Sequence, residues 1–240
     1  MRPFFSYYGS KFTGAKHYGR PRGDIVIEPF AGSACYSLYW NCKNVKLYDK
    51  SSDICILWDF LINCSEKDIQ NIPTTFEDVT CIEKLNNEEK LLVGFWISKG
   101  RSEPAKYPSP WYFSHMIEAE KQCKVWGAAV KKRIIKQKPM IKKWEIENCS
   151  YDKIPNALMK DNSIHWHIDP PYNNKAGGRY PESSLDYRKL ANWCNNIDGS
   201  FDVCENVGAD WLDFEPLYEV VSSRGRRTGY KSKEAVFRKL

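Results

Sequence analysis

Two short apolar runs, separated by a glycine turn, lie within the first fifty positions of the chain. Residues 24–28 are rich in β-branched side chains and residues 45–48 repeat the pattern, so both runs indicate buried strands. Between them lie a turn at Gly32 and a stretch, residues 35–41, that resembles a short helix. Asp49 directly follows the second run. This order of strand, glycine turn, helix, strand and acid predicts the start of a doubly wound α/β domain.

The apolar positions take a helical spacing over roughly residues 54–143. Apolar residues at three- and four-residue steps predict one long helix, which ends or kinks at Pro139. This stripe consists of Met116, Ala119, Cys123, Trp126, Val130 and Ile134. The polar, proline-rich residues 100–110 predict a loop. We therefore expect residues 59–141 to form a mostly helical insert, which would be the target-recognition subdomain.

Strand patterns return in the last hundred residues of the chain. They cover residues 144–149, 163–168, 201–205 and 217–222. Residues 185–195 predict a helix, and residues 224–240 form a basic terminal stretch. The fold class we expect is α/β: a mixed, mostly parallel, Rossmann-like sheet flanked by helices. Residues 1–58 and 142–240 would form this domain around the helical insert.

Composition narrows the class of protein without identifying it. The 240 residues are 42% hydrophobic and carry a formal net charge of +6, which suits a polyanionic partner. Nine cysteines occur without a C-x-x-C pair, so we expect reduced thiols, no zinc site and a cytoplasmic location. No apolar run has the length of a membrane span, and the first residues lack the apolar core of a signal peptide.

The strongest motif is Asp169-Pro170-Pro171-Tyr172, which directly follows an apolar strand pattern. At this motif the chain resembles the Dam-like, alpha-class DNA N6-adenine methyltransferases. The resemblance implies that the Asp169 carboxylate and the Pro170 carbonyl accept hydrogen bonds from the target amino group, while Tyr172 stacks on the base. Such a base must leave the duplex before it can react. The cofactor implied is S-adenosylmethionine (AdoMet), which carries the methyl group.

Three further motifs, in the order that the family has them, extend the resemblance. Glu28-Pro29-Phe30-Ala31-Gly32 is similar to the family's glycine turn, although Ala34 replaces its second glycine. Asp49 lies where a nucleotide-binding fold places the acid that binds ribose, with Asp53 as the second choice. The N-terminal motif, residues 3–11, has Tyr7 where the family has tryptophan, and it retains the family's lysine as Lys11. The resemblance assigns to the cofactor pocket Tyr7, Lys11, Glu28, Pro29, Phe30, Ala31, Gly32, Asp49, Ser150, Tyr151 and Asp169.

Basic residues outside these motifs are the candidates for contact with DNA phosphates. Three of them crowd one helical segment of the expected insert, one lies in its loop, and two lie near the C-terminus. They are Lys131, Lys132, Arg133, Arg101, Arg224 and Arg226. For any one of them, a solvated side chain without a partner is the alternative interpretation. His165 and His167 alternate before the D-P-P-Y motif, where packing is the expected role.

The sequence therefore predicts a DNA adenine N6-methyltransferase, monomeric, in the cytoplasm of a bacterium or a phage-infected cell. Asp at the first position of the tetrapeptide favours adenine by resemblance. Cytosine N4 methylation on the same scaffold is the nearest alternative. A catalytically silent relative that binds nucleic acid is another, because Ala34 and Tyr7 depart from the family pattern. RNA as the substrate is a third.

Overall fold

In the part of the chain that the structure describes, seven strands form one mixed sheet. The computed structural model describes residues 1–74, 82–221 and 231–240. The strands in this part are β1 (Ile25–Glu28), β2 (Asn44–Asp49), β3 (Glu145–Asn148), β4 (Ile164–Ile168), β5 (Ser200–Asn206), β6 (Glu215–Val221) and β7 (Lys231–Lys239). Their order across the sheet is β3-β2-β1-β4-β5-β7-β6. Strands β1 to β5 pair in parallel, and β7 runs antiparallel to both of its neighbours, β5 and β6.

Short helices connect the strands and make up most of the region between β2 and β3. Within the described residues they are α1 (Ala15–Tyr18), α2 (Cys35–Trp40), α3 (Ser52–Asn63), α4 (Glu66–Asn71), α5 (Asn87–Ile97), α6 (Pro110–His115), α7 (Ala128–Gln137), α8 (Asn156–Met159) and α9 (Tyr187–Asn195). Serine or asparagine caps the first turn of α4, α5 and α6, where Ser65, Asn86 and Ser109 accept backbone N–H groups. Such caps satisfy donors that the first helical turn leaves free.

The expected α/β class is confirmed, with a mixed sheet flanked by helices. Strand β4 is buried at every position, in agreement with its continuous apolar and aromatic pattern. The division into residues 1–58, 142–240 and an insert stays a prediction. Helix α3 runs through its first boundary, so the chain continues without a break from the sheet into the helical region.

The predicted long helix over residues 116–134 was wrong. The chain forms a short 3-10 turn at Met116–Glu118, and α7 begins only at Ala128. The reason is tertiary, since Gly127 packs directly against Ala119: a Cβ atom on Gly127 would lie 2.5 Å from the Cβ of Ala119. Trp126, on the apolar stripe beside this break, is nevertheless fully buried.

Strand β7 was missed, because residues 224–240 were interpreted only as a basic stretch. The lysines and arginine of this strand lie towards its ends, whereas Glu234, Ala235 and Val236 in its middle are buried. Pairing with β5 on one side and β6 on the other satisfies its backbone groups. Charged strand ends therefore concealed a strand that is internal to the sheet.

The N-terminal segment lies between the sheet and the helical region. The Phe5 ring contacts Trp58 of α3 and Phe95 of α5, with ring centroids 5.6 Å and 5.2 Å away. The Trp96 indole N–H donates to the Phe4 carbonyl at 2.9 Å, in a buried position. These contacts fix the start of the N-terminal motif.

None of the helices in the described residues is long and apolar enough to cross a bilayer.

We expect Gly23→Ala to destabilise the protein by about 1–3 kcal/mol, since small-to-large changes at a packed backbone cost this much. Gly23 precedes β1, and a Cβ atom there would lie 2.2 Å from the Ser163 carbonyl oxygen, where β1 meets β4. The measurement is the free energy of unfolding in urea. Gly178→Ala is the matched control, because its added Cβ meets no atom within 4 Å. Equal losses in the two variants would contradict this account of the strand junction.

Candidate active site

The sheet changes direction at the boundary between β1 and β4. From β1 the chain order runs to β2 and β3 on one side, and β4 and β5 lie on the other. In open α/β sheets, ligands bind beyond the carboxyl ends of the strands at such a switch point. The glycine turn follows β1, Asp49 ends β2, and Asp169 follows β4. The topology therefore collects these motifs at one edge of the sheet.

One cleft at this edge brings together every residue that the sequence assigned to a cofactor pocket. Its walls include Tyr7, Lys11, Glu28, Pro29, Phe30, Ala31, Gly32, Asp49, Ser150, Tyr151 and Asp169. Within the D-P-P-Y motif, Asp169 and Pro171 line the cleft, whereas Pro170 and Tyr172 do not. The motifs at opposite ends of the chain thus meet in a single space.

Asp49 holds the glycine turn in place. One of its carboxylate oxygens accepts the Gly32 N–H and the other accepts the Ser51 N–H, each at 2.9 Å. Burial raises the pKa of Asp49 to about 6, and the backbone donors oppose this shift. Gly32 has a φ of +44°, in the left-handed region that glycine adopts at little cost. At neutral pH the cleft therefore has an ionised acceptor beside exposed backbone.

An aromatic wall closes the cleft near the end of β3. The rings of Phe30 and Tyr151 lie 5.6 Å apart with an interplanar angle of 31°. Tyr151 also packs edge-on against Trp193 of α9, at 5.3 Å, which holds its ring in position. Ser150 adds a hydroxyl at the same wall. A flat, planar ligand with polar edges suits this part of the cleft.

Lys11 and Asp169 form an ion pair at the other end of the cleft. The Lys11 ammonium donates to both carboxylate oxygens, at 2.5 Å and 2.8 Å. Burial acts to lower the pKa of Lys11, but the Asp169 carboxylate reverses this and leaves it raised. Desolvation raises the pKa of Asp169, while the Lys11 charge opposes the rise. The pair links the N-terminal motif to the loop after β4.

Two acids that the sequence analysis did not single out hold the D-P-P-Y loop from behind. The Tyr172 hydroxyl donates to Glu234 of β7 at 2.5 Å, and its ring lies 4.5 Å from the Lys11 ammonium. Glu205 of β5 accepts the Asn173 N–H at 2.9 Å. A charged residue within a buried strand pattern was the available signal for Glu205. Glu234 was missed together with its strand.

Aromatic residues narrow the mouth of the cleft. The Tyr7 ring approaches the glycine turn so closely that a Cβ atom on Gly32 would lie 3.1 Å from it. Tyr180, which the sequence analysis also missed, lies 6.0 Å from Tyr7 between ring centroids. Its hydroxyl donates to the Tyr8 carbonyl at 3.3 Å. The segment after the D-P-P-Y motif therefore packs against the N-terminal motif.

Buried polar groups extend from the wall of the cleft into the protein interior. Glu28 is 3% exposed and accepts the Ser37 N–H at 3.0 Å, and burial raises its pKa to about 7. His165 contacts the Tyr36 hydroxyl at 3.0 Å, and His167 stacks on the Tyr36 ring at 4.0 Å. The two histidines thus have packing contacts. In the part of the chain that the structure describes, His, Cys, Asp and Glu form no group suited to hold a metal ion.

The candidate DNA contacts lie in different environments. Lys131 donates to the carbonyls of Gln70 and Ile72, each at 2.6 Å. Arg133 donates to the Pro3 carbonyl at 2.9 Å and covers the Trp96 ring. Their charges thus already have intramolecular acceptors, whereas Lys132 and Arg101 are exposed. Arg224 and Arg226 lie outside the described residues.

Comparison with protein-family models and with curated proteins gives no match for this chain.

We expect Glu28→Gln to flatten the pH dependence of stability. A buried acid whose pKa is raised to about 7 favours the folded state below its unfolded value and loses this contribution as the pH rises through 7. The free energy of unfolding of the variant, relative to that of the wild type, should rise by up to about 3 kcal/mol from pH 4.5 to pH 8.5. Urea unfolding at both pH values measures this difference. Parallel profiles would contradict the assignment of a buried, titrating Glu28.

Proposed function

We propose that this protein transfers a methyl group from AdoMet to the N6 atom of adenine in DNA. The observation that carries the proposal is the position of Asp169. The acid of the D-P-P-Y motif lies in the same cleft as the glycine turn and Asp49, at the switch point of the sheet. An acceptor for a target amine and a nucleotide-type pocket therefore share one space.

The residues of the cleft fit AdoMet. Asp49 would accept the ribose hydroxyls, since each of its oxygens keeps a lone pair beyond its backbone bond. The wall of Phe30 and Tyr151 would hold the adenine ring. Ala34 has a φ of +46°, so the turn keeps the backbone shape of a glycine there despite the substitution. When bound, AdoMet supplies an activated methyl group.

Asp169 is suited to orient an amino group. A carboxylate has about four acceptor sites, and Lys11 uses one on each oxygen, so both oxygens can accept a further N–H. The nearby ammonium favours the ionised acid, which is a pure acceptor. A hydrogen bond from the amine to Asp169, which lines the cleft, would direct the nitrogen lone pair at the methyl group. Positioning of this kind needs no covalent intermediate.

The proposed partner is DNA, and the target base would enter the cleft after leaving the duplex. We propose, as the sequence led us to expect, that the protein works as a monomer in the cytoplasm. The intact pairing of Asp169 with Lys11 argues against a silent binding module. Methylation of cytosine N4 uses the same geometry, and the choice of adenine rests on the resemblance.

We expect Asp169→Ala to lower kcat for methyl transfer at least about 100-fold, the typical loss when a positioned hydrogen-bonding group is removed. AdoMet binding should weaken far less than methyl transfer, because the ribose acceptor and the aromatic wall remain. The measurements are tritium transfer from labelled AdoMet to unmethylated DNA and calorimetric AdoMet binding. Asp169→Asn is the matched variant, because its amide oxygen still accepts a hydrogen bond from Lys11 and its similar size preserves the packing.

Asp49→Asn is the reciprocal variant in the same experiment. It cannot accept both the Gly32 and Ser51 N–H groups, so AdoMet binding should weaken at least about tenfold while the Lys11–Asp169 pair is untouched. Full activity in both Asp169 variants would overturn the proposed site. Unchanged AdoMet binding in Asp49→Asn would remove the acid from the cofactor pocket.

A further inference from the structure

A second, polar groove lies beside the mouth of the cleft. Two distant parts of the chain form it: the loop after α5 and the segment after the D-P-P-Y motif. Ser102 of the loop donates through its hydroxyl to the Arg179 carbonyl at 2.7 Å. The Tyr8 N–H donates to the Arg101 carbonyl at 2.9 Å. The groove is therefore held together by bonds that tie both segments to each other and to the N-terminal motif.

Two guanidinium groups belong to this groove, one from each segment. Arg101 and Arg179 are both exposed, and among the described residues neither forms an ion pair with a carboxylate. The Arg179 guanidinium lies 5.6 Å from the Tyr8 ring centroid, a contact that restrains its position. Among the described residues that line the groove, Glu103 is the one carboxylate, so together they carry a net positive charge. Lys50 and Lys189, which line the cleft, differ from these two arginines because each forms an ion pair, with Glu182 and Asp152 respectively.

The groove adjoins the cleft at Tyr8. Tyr8 lines both, and Tyr180, next to Arg179 in the chain, lines the cleft. A nucleotide whose base enters the cleft leaves its sugar and phosphate at the rim. An arginine pair at this rim matches the planar, bidentate recognition that phosphate oxygens favour.

We infer that Arg101 and Arg179 together bind a phosphate of the DNA strand that carries the target base. This inference rests on the proposed function and adds to it a role for Arg179. The two arginines come from the helical region and from the loop after the catalytic motif. Binding of one phosphate by both therefore couples the position of the DNA backbone to that of Asp169.

The test is DNA binding measured by fluorescence anisotropy over a series of salt concentrations, with a labelled duplex and without AdoMet. Each phosphate contact contributes about 0.9 to the slope of log K against log salt. We expect the double variant Arg101→Ala/Arg179→Ala to lose about one unit of slope and to bind about tenfold more weakly at low salt. Glu103→Gln should shift affinity in the opposite direction, because it removes a repelling charge.

Lys43→Ala is the matched control, since Lys43 is an exposed cation just before β2, at the opposite edge of the sheet. It should leave slope and affinity unchanged, and AdoMet binding should be equal in all variants. An unchanged slope in the double variant, or wild-type protein that does not bind DNA, overturns the inference. If the double variant loses slope but the wild-type protein transfers no methyl group, the role of the groove stands and the proposed reaction is refuted. Normal methyl transfer by the wild-type protein, together with an unchanged slope in the double variant, would refute the role of the groove and keep the proposed reaction.

Discussion

The ion pair between Lys11 and Asp169 is the contact on which the geometry of the cleft depends. It joins residues that are 158 positions apart and closes the N-terminal motif over the end of β4. Without Lys11, the carboxylate would lack its balancing charge in a partly desolvated site, and such a group tends to take up a proton. The pair thus keeps an acceptor available and also fixes the loop that carries it. Tyr172 and Glu234 support the same loop from the side of β7.

Burial controls the other acids of the site. Asp49 and Glu28 both have raised pKa values, and both accept backbone N–H groups that limit the shift. Their roles differ with position. Asp49 faces the cleft and anchors the glycine turn, whereas Glu28 is nearly inaccessible and anchors α2 through Ser37. Both carboxylates are therefore held in position by backbone N–H groups.

The sequence predicted those features that local pattern determines. Buried strands, the glycine turn and the acids at strand ends depend on neighbouring residues, so the parallel half of the sheet was recognisable, whereas the residues of the cleft were assigned through the resemblance. Features that depend on contacts between residues distant in the chain could not be predicted from local pattern. The break before α7 depends on the approach of Gly127 to Ala119, and the burial of Glu234 depends on two flanking strands. Arg133 and Lys131 looked like phosphate ligands because their acceptors lie far away in the chain.

Methylation of adenine at N6 is the reaction that we propose for the cleft. It is tested by incubating the wild-type protein with tritiated AdoMet and unmethylated DNA, digesting the DNA and separating the nucleosides by chromatography. We expect the label to elute as N6-methyldeoxyadenosine. Label in N4-methyldeoxycytidine would keep the cleft and change its target base. The absence of label from DNA, although AdoMet binds, would contradict this proposal.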